Sequence, residues 1–388
     1  MNRIKILLPA ILFFWLGTTD SDGQSFYNQG ATVSVQAGTV FSVKDSLVNT
    51  GTFVNNGNLV IGGTWLNTGT YDPAAGEITF NSTSPTSPQI INHSNQSFSK
   101  LTISGGGRKL ILADITIEDE IILADGVIER ENNARVIINP SATITGGSDR
   151  SHINAPVYHL GNGEKLFPLG NGAVFLPVRI LSIDDPSAFV GIEGIELGGA
   201  ALPKAPSLDA MSTNRYWHID VARGSMNSRI VLPVRDESLP GNLENIVVAE
   251  SEALTEDFIS AGQSSSEGTG VNGMVTSDRV ITSAYVSLAS ASDNGSLIVY
   301  NAISANNDGI NDFLIIGNIE FYPENKFSLF NRWGDKIFEI DHYDNQERVF
   351  RGKSNINGEK DLVNGTYFYV IETQKDALKV NGFLSLKH

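Results

Sequence analysis

The sequence contains no cysteine, which excludes both a disulfide scaffold and lipid attachment at a processed cysteine. Charged residues make up only 18%, so much of the surface must consist of Asn, Ser, Thr and Gly. The histidines are scattered without an HExxH pattern, which disfavours a zinc site. No Gly-x-Ser-x-Gly elbow, phosphate loop or dinucleotide fingerprint is present. These absences argue against enzymes built on those motifs, but they leave other hydrolases open.

The chain is acidic, with a formal net charge of −16. Because a negatively charged surface repels phosphate groups, this balance argues against binding to nucleic acid or to an anionic lipid surface. It is compatible with a protein that is secreted and displayed on a cell surface.

The N-terminal segment predicts a signal peptide at residues 1–23. Two basic residues near its start are followed by a mostly apolar run at 6–16. Small residues at Ser21 and Gly23 predict cleavage before Gln24, and residues 17–19 offer an alternative site. The apolar run is too short to span a bilayer as a helix of the mature chain. We therefore expect a secreted or cell-surface protein with no transmembrane segment after cleavage.

Short apolar runs bounded by Gly, Asn, Ser and Pro recur along the chain, which contains 38 glycines. This pattern, without helical periodicity, predicts an all-β protein. A length of 388 residues is enough for several domains. The predicted order is a signal peptide (1–23), a β-solenoid-like region (24–147), capping strands (148–181), a β-sandwich (182–288), a linker (289–296) and a small antiparallel β-sandwich (297–388).

A sequence repeat supports the solenoid. The run LVNTGTF at 47–53 recurs as WLNTGTY at 65–71. Repetition at a short period is typical of β-solenoid rungs, which are too short to bury a face alone and must stack to form a core. Trp65 and Tyr71 occupy repeat positions, so core stacking is favoured over contact with sugars. The alternative fold for this region is an antiparallel β-sandwich.

The densest acidic cluster is formed by Glu118, Asp119 and Glu120. It is a candidate for contact with a carbohydrate or with Ca²⁺, because a β-helix can be a polysaccharide-cleaving enzyme. Glycoside cleavage needs two carboxyl groups held across a cleft, one of them with a pKa raised by burial. The sequence instead favours a solvated turn between two strands.

From residue 297 onward, strand-type runs alternate with turn-rich segments. The run NNDGIND at 306–312 predicts a tight turn, because Asx side chains bond nearby backbone groups and Gly tolerates positive φ. The run FNRWG at 330–334 predicts a hairpin turn with Gly334 in the left-handed conformation. Together these units predict a small antiparallel β-sandwich.

The turn at 306–312 also raises a calcium hypothesis. Ca²⁺ prefers oxygen ligands, which Asn306, Asp308 and Asp312 could supply. An EF-hand alignment, however, places Ile315 where the bidentate glutamate is needed. A structural Asx turn is the interpretation that the sequence favours.

Several motifs of this region carry a family resemblance. They are NNDGINDF at 306–313, YP at 322–323, FNRWG at 330–334, YDN at 343–345, GTYFY at 365–369 and GFLSLK at 382–387. In this order they resemble the gliding motility-associated C-terminal domain, the type B sorting domain of the type IX secretion system of Bacteroidota. The resemblance implies an address that the outer-membrane translocon reads. It assigns the sorting motif to Asn306, Asp308, Gly309, Asn311, Asp312, Asn331, Arg332, Trp333, Gly334, Gly365, Thr366 and Tyr367.

A second resemblance covers residues 89–181. The runs INAPV at 153–157 and FPLG at 167–170 are among those similar to repeats of large extracellular Bacteroidota proteins. This resemblance implies a surface scaffold.

Two functional hypotheses follow. The first is a secreted cell-surface structural or adhesive protein that the type IX secretion system exports through the C-terminal domain. The alternative is a secreted protein that binds or cleaves polysaccharides through the β-solenoid face, with surface glycans as its partners. The sequence favours a non-enzymatic protein, implies the translocon as a partner and suggests calcium as the one candidate cofactor.

Overall fold

The computed structural model describes residues 24–205, 208–239, 242–291, 297–306, 311–317, 319, 322–356, 358–373 and 378–387. The predicted signal peptide lies outside these residues. The described chain is all-β, as predicted, with 54% of residues in strands and 2% in helices. None of the helices in these ranges is long and apolar enough to cross a membrane.

The N-terminal part forms a β-solenoid of about 7 turns, which confirms the predicted solenoid. Its strands, rung by rung, are β1 (Phe26–Asn28), β2 (Thr32–Val35) and β3 (Val40–Val43); β4 (Leu47–Asn49), β5 (Thr52–Asn55) and β6 (Asn58–Ile61); β7 (Trp65–Asn67), β8 (Thr70–Asp72) and β9 (Glu77–Phe80); β10 (Gln89–Asn92) and β11 (Ser97–Ile103); β12 (Arg108–Ile111) and β13 (Ile115–Leu123); β14 (Val127–Arg130), β15 (Val136–Ile138) and β16 (Thr143–Gly146); β17 (Ile153–Asn154) and β18 (Val157–Leu160).

Successive rungs pair in parallel and build three sheets. Their strand orders are β1-β4-β7-β10-β12-β14-β17, β2-β5-β8 and β3-β6-β9-β11-β13-β15-β18. The alternative of an antiparallel sandwich is wrong for this region, because neighbouring rungs are joined by parallel ladders. Parallel strands of three or four residues gain a core only when several turns stack.

The repeated run explains how the rungs stack. Trp65 and Tyr71 are 0% and 6% exposed, which confirms their predicted place in the core. Asn28 Nδ2 donates to Asn49 Oδ1 at 2.7 Å, and Asn49 Nδ2 donates to Asn67 Oδ1 at 2.6 Å. These three buried side chains form an asparagine ladder, in which each amide satisfies the next and no polar group is left without a partner.

The glycine of the repeat is needed for the close approach of two rungs. A Cβ atom at Gly69 would lie 2.1 Å from the carbonyl oxygen of Gly51. Real Cβ atoms do not approach backbone atoms so closely, so any side chain at this corner would push the rungs apart.

The asparagine ladder ends at a buried histidine, His93. The indole Nε1–H of Trp65 donates to His93 Nδ1 at 3.0 Å, and His93 Nε2 lies 3.2 Å from the carbonyl oxygen of Ser97. Because an indole N–H can only donate and a carbonyl can only accept, the proton of the neutral imidazole is on Nε2. Burial lowers the pKa of His93 to about 4, so the ring is neutral in the folded protein.

The parallel stack ends at β18. This strand pairs in parallel with β15 on one side and antiparallel with β23 (Phe189–Glu196) on the other. The strands between them in sequence are β19 (Gly163–Phe167), β20 (Gly170–Asn171), β21 (Val174–Phe175) and β22 (Val178–Ile183). The last rung is thus covered by antiparallel structure, which protects the apolar end of the coil.

The middle region consists of antiparallel strands in two sheets. They are β24 (Leu208–Met211), β25 (Arg215–Arg223), β26 (Ile230–Pro233), β27 (Ile246–Ser251), β28 (Ile259–Gly262), β29 (Ser265–Glu267), β30 (Met274–Thr276) and β31 (Tyr285–Ala291), with 3-10 helices at Leu243–Asn245 and Gly270–Asn272. One sheet continues from the solenoid as β18-β23-β25-β31-β27-β28, and the other has the order β19-β22-β26-β30-β29.

One cluster of buried apolar side chains extends from Val35 to Leu288, so the solenoid and the middle region share a hydrophobic core. Strand β31 ends at Ala291, and residues 289–291 of the predicted linker therefore belong to a strand. The rest of that linker, 292–296, lies outside the described residues.

The C-terminal domain (297–388) has a sheet and a core of its own. Its strands are β32 (Ile298–Val299), β33 (Ala302–Ser304), β34 (Ile316–Gly317), β35 (Asn325–Phe330), β36 (Lys336–Asp341), β37 (Lys353–Ser354), β38 (Lys360–Asp361), β39 (Gly365–Thr373) and β40 (Lys379–Lys387). The main sheet has the order β33-β40-β39-β35-β36, in which the β33–β40 pair is parallel and the others are antiparallel. Its buried cluster is drawn from residues 303–386.

Aromatic rings dominate this second core. The ring of Phe327 lies 5.2 to 6.4 Å from the rings of Phe338, Tyr343, Phe350 and Tyr369, measured between ring centres. Such offset and edge-on contacts bury large areas in a small domain, which suits a chain without disulfides.

Candidate functional site

The described parts of the segments assigned to the sorting motif are far apart in sequence but meet at one end of the C-terminal sheet. In register, Gly365 lies opposite Leu386, and Ser304 lies opposite Lys387. Strand β35 runs antiparallel to β39 and leads into the hairpin turn at 331–335 on the same side. We call this side of the domain, where the turn, the start of β39 and the end of β33 come together, the motif end.

The hairpin turn is held from within by one side chain. Asn331 Oδ1 accepts hydrogen bonds from the backbone N–H groups of Trp333 at 2.9 Å and of Asp335 at 3.0 Å. Asn331 Nδ2 also donates to Asp335 Oδ2 at 3.0 Å. Gly334 has a φ of +86°, which confirms the predicted left-handed conformation. The turn therefore keeps its shape without an external partner.

This turn presents an aromatic ring and a cation to solvent. Trp333 is 74% exposed, and the guanidinium carbon of Arg332 lies 4.7 Å from the centre of its ring. The arrangement is a cation–π contact. Trp and Arg are enriched among the residues that dominate binding at protein interfaces, so the pair is a candidate contact point.

The other assigned residues at the start of β39 have different roles. Tyr367 is buried, and its hydroxyl donates to the carbonyl oxygen of Val363 at 2.7 Å. Burial raises the pKa of Tyr367 above its ordinary value. Gly365 and Thr366 are exposed, and a side chain at Gly365 would meet open space. Within this motif, Tyr367 stabilises the fold, while the other two belong to the surface.

Three phenylalanines form a row on the sheet face that points away from the core. Phe330 lies opposite Phe368, and Phe368 lies opposite Phe383. Phe368 and Phe383 are 49% and 55% exposed, whereas Tyr367 and Leu384 beside them are buried. We call these three residues the aromatic row. None of the sequence motifs predicts the aromatic row, although the alternation of inward and outward aromatic residues along β39 is a signal of it.

The turn at 306–312 is described only in part. Asp308 and Gly309 lie outside the described residues. Asn306 is exposed, Asp312 is half-buried, and Asn311 has a φ of +57°, which Asn tolerates better than most residues. Within the described ranges no group of three or more His, Cys, Asp or Glu side chains is placed to hold a metal ion. The calcium site therefore stays a prediction.

Some residues near the motifs are internal braces. The hydroxyl of Tyr343 donates to Leu314 O at 2.5 Å and accepts from Phe350 N–H at 3.0 Å. Asn325 Nδ2 donates to the carbonyl oxygens of Tyr322 and Tyr343, while Asn325 Oδ1 accepts from Tyr343 N–H at 2.8 Å. Nothing in the local pattern singled out Asn325, because two of these three hydrogen bonds join it to Tyr343, which is 18 residues away.

The acidic run of the solenoid is placed differently from the prediction. Glu118, Asp119 and Glu120 lie inside strand β13, so the predicted turn between two strands is wrong. Their partners in neighbouring rungs are Asn139 for Glu118, Ser99 for Asp119 at 2.5 Å and Thr145 for Glu120 at 3.1 Å. The strand continues through the acidic run because the adjacent rungs supply hydrogen-bond donors to all three carboxylates.

Residues 297–386 match the family described as CHU_C Type IX secretion signal domain. The match coincides with the C-terminal domain and confirms the sorting domain that the sequence motifs indicate. No curated protein and no solved structure matches the chain. The C-terminal domain indicates a protein that is secreted or displayed at the cell surface by type IX secretion, and it implies contact with the secretion machinery.

Proposed function

We propose that the protein has a structural or adhesive role at the cell surface, in which the solenoid and the middle region are the functional part and the C-terminal domain is the export signal. One observation supports this proposal above all. The groups that a glycan-active solenoid would display on its outer faces are used instead to stack its own rungs.

The aromatic rings of the solenoid are the first such group. Sugar-binding proteins cover apolar sugar faces with exposed flat rings. Here Phe53 and Trp65 are fully buried, Tyr71 is 6% exposed, and their rings contact one another across the rungs. The large apolar side chains that the described solenoid exposes, Tyr27 and Val40, belong to its first rung.

The carboxylates are the second group. Asp114 accepts from the Arg135 guanidinium at 2.6 Å, and Glu129 is paired with Arg108 at 2.6 Å. A glycosidase needs one carboxyl group that is held neutral so that it can donate a proton, together with a second one across a cleft. Here the carboxylates bind a guanidinium or hydroxyl groups of the adjacent rung. Such contacts hold the rungs together and do not form a catalytic pair across a cleft.

Adhesion and glycan cleavage can be separated by experiment. Residues 24–291 contain their own buried clusters, so this part can be purified without the C-terminal domain. We expect it to release no reducing ends from surface polysaccharides. We expect cells that lack this part, but keep the N-terminal segment and the C-terminal domain, to attach less well to surfaces or to one another. Release of reducing ends, or attachment equal to that of wild-type cells, would contradict the proposal.

We also propose that the secretion machinery reads the motif end together with the aromatic row. The row begins at Phe330, two residues before Arg332, and Trp333, Phe368 and Phe383 are 74%, 49% and 55% exposed. An export signal must offer its receptor a surface that remains accessible after folding. Exposed aromatics beside a cation meet that requirement.

A matched pair of variants tests this surface. Phe368→Ser with Phe383→Ser removes most of the aromatic row, and Glu372→Ser with Lys379→Ser removes an exposed ion pair from the same strands. Since exposed ion pairs contribute little to stability, the second variant is a control for surface change. We expect the first variant to accumulate in the periplasm and the control to be exported. Normal export of the phenylalanine variant, with folding verified by circular dichroism, would rule out this surface.

Export itself has a separate test. A chain that ends at Ser296 lacks the whole C-terminal domain and should remain in the periplasm. Its continued appearance at the cell surface would contradict the role of the domain, whichever part of its surface is recognised.

A further inference from the structure

The first rung of the solenoid (β1, β2 and β3, called rung 1) is the edge of the parallel sheets. Within the described chain, β1 and β2 are each the last strand of their sheet, with the second rung on one side and no strand on the other. An edge of this kind presents a row of backbone N–H and C=O groups to which another strand can add.

The apolar interior is open at the same place. Phe26 lies over Leu47 and Val33 lies over Phe53. Leu47 and Phe53 are fully buried, whereas the two residues of rung 1 are only half-buried because no strand of the described chain covers them. Beside them Tyr27 is 61% exposed. Rung 1 therefore leaves both backbone and apolar surface accessible, in contrast to the last rung, which β23 covers.

The sequence of rung 1 lacks the devices that usually protect such an edge. Residues 24–43 contain no Asp, Glu, Lys, Arg or Pro. Natural sheets keep their edges from pairing with charged side chains, prolines and bulges. We expect an unprotected strand edge beside exposed apolar side chains to be covered in the functional protein.

We propose that rung 1 is covered by rung 1 of a second copy, so that the protein is a head-to-head homodimer. Stacking head to tail is blocked, because the other end of the solenoid is occupied by antiparallel strands of the same chain. A twofold axis reverses the direction of the chain, so the facing strand edges run antiparallel and can form regular ladders. This arrangement closes on itself, because the other end of each solenoid is already covered.

The lack of charge also favours a second copy over an unrelated partner. A twofold axis places rung 1 against itself, so that residue i of one copy faces residue j of the other, and residues near the axis face their own copies. Like charges at such positions repel, and a rung without any charge avoids this cost. The proposal does not depend on the role of the C-terminal domain.

The experiment is analytical ultracentrifugation of residues 24–388. We expect a dimer at about 10 µM, a concentration at which an interface of micromolar affinity or better is occupied. Ser34→Lys with Ser42→Lys places charges on exposed positions of rung 1 without changing its inward residues, and should raise the dimer dissociation constant at least about 100-fold. The control, Ser141→Lys with Thr143→Lys, adds the same charges at exposed positions near the other end of the solenoid and should remain dimeric.

Three results would overturn the proposal. They are a wild-type monomer at roughly 100 µM, far above the affinity expected of a stable interface, a dimer that the rung 1 lysines leave unchanged, and assemblies larger than a dimer. A second readout uses the absence of native cysteine. Ser42→Cys should give a cross-linked dimer with a short bismaleimide, whereas Ser141→Cys should not, and equal cross-linking of both would also contradict a contact at rung 1.

Discussion

The solenoid and the C-terminal domain differ in how far their aromatic side chains are buried. In the solenoid, rings such as Trp65 and Tyr71 are enclosed between rungs, while outward apolar side chains such as Val48 and Leu66 are half-buried. In the C-terminal domain one sheet face covers an aromatic core, while the other exposes Phe368 and Phe383, and the hairpin turn exposes Trp333. In the solenoid the aromatic rings hold successive rungs together, whereas the small sheet leaves aromatic rings on its outer face available for recognition.

The largest effect is expected from glycine substitutions that compare how closely the backbone is packed in the two regions. Gly69→Ala places a Cβ atom 2.1 Å from a backbone carbonyl, and should lower the free energy of unfolding of the solenoid by about 3 kcal/mol. Gly365→Ala meets open space in the C-terminal domain and should change stability by less than about 0.5 kcal/mol. Calorimetry on residues 24–388 measures both. Equal effects of the two substitutions would show that the rungs are not in close contact.

The asparagine ladder is expected to matter slightly less. Asn49→Ala leaves the amide of Asn28 and the carbonyl oxygen of Asn67 without their buried partner, which should cost about 2 kcal/mol. Asn56→Ala removes an exposed side chain of the next corner and is the matched control, with an expected change below about 0.5 kcal/mol. Urea unfolding of residues 24–291 gives both values, and a neutral Asn49→Ala would exclude the ladder as a source of stability.

Acid should destabilise the solenoid through His93. Burial lowers its folded pKa to about 4 from an ordinary value of 6.5, so the unfolded chain binds the proton more tightly. The contribution to the free energy of unfolding is therefore complete above about pH 6.5 and is lost as the pH falls towards 4. At pH 5 the loss is about 2 kcal/mol from this residue alone.

The control for the acid effect is His93→Gln. Glutamine can accept from the Trp65 indole and donate to Ser97 O, but it cannot be protonated. Thermal unfolding of residues 24–291 between pH 7.5 and pH 5 should show a weaker pH dependence in this variant. Part of the dependence should persist through His159, whose pKa burial also lowers to about 4. An unchanged pH dependence would exclude His93 as the acid-sensitive group.

The smallest expected effect is in the C-terminal domain. Asn331→Ala removes the side chain that holds the hairpin turn and should lower the stability of this domain by about 1 kcal/mol. Because the two regions have separate cores, the unfolding of the solenoid should be unchanged. If the substitution altered both transitions in calorimetry equally, the two regions would not unfold independently.

Structure was predictable from the sequence where it depends on a local pattern. The repeat that contains Trp65 and Tyr71 indicated stacked rungs, because the same residues must recur wherever the same corner recurs. The hairpin turn was predictable because the left-handed conformation of Gly334 depends only on the residues next to it in the sequence. The acidic run at Glu118–Glu120 was misplaced, since the hydrogen-bond donors that keep it in a strand come from other rungs. The aromatic row was missed because its members lie on three strands.

By itself, the sequence determined the all-β class, the stacked repeat and the export signal, since each depends on residue types at short spacing or in a fixed order along the chain. Only the tertiary structure decided which motif segments share one end of the C-terminal sheet and which aromatic side chains are exposed. It also decided that, in the described chain, rung 1 is the edge of the parallel sheets while the last rung is covered. Strand pairing sets these features. Pairing joins residues that are distant in sequence, and the free energy that selects it comes from burial summed over many contacts.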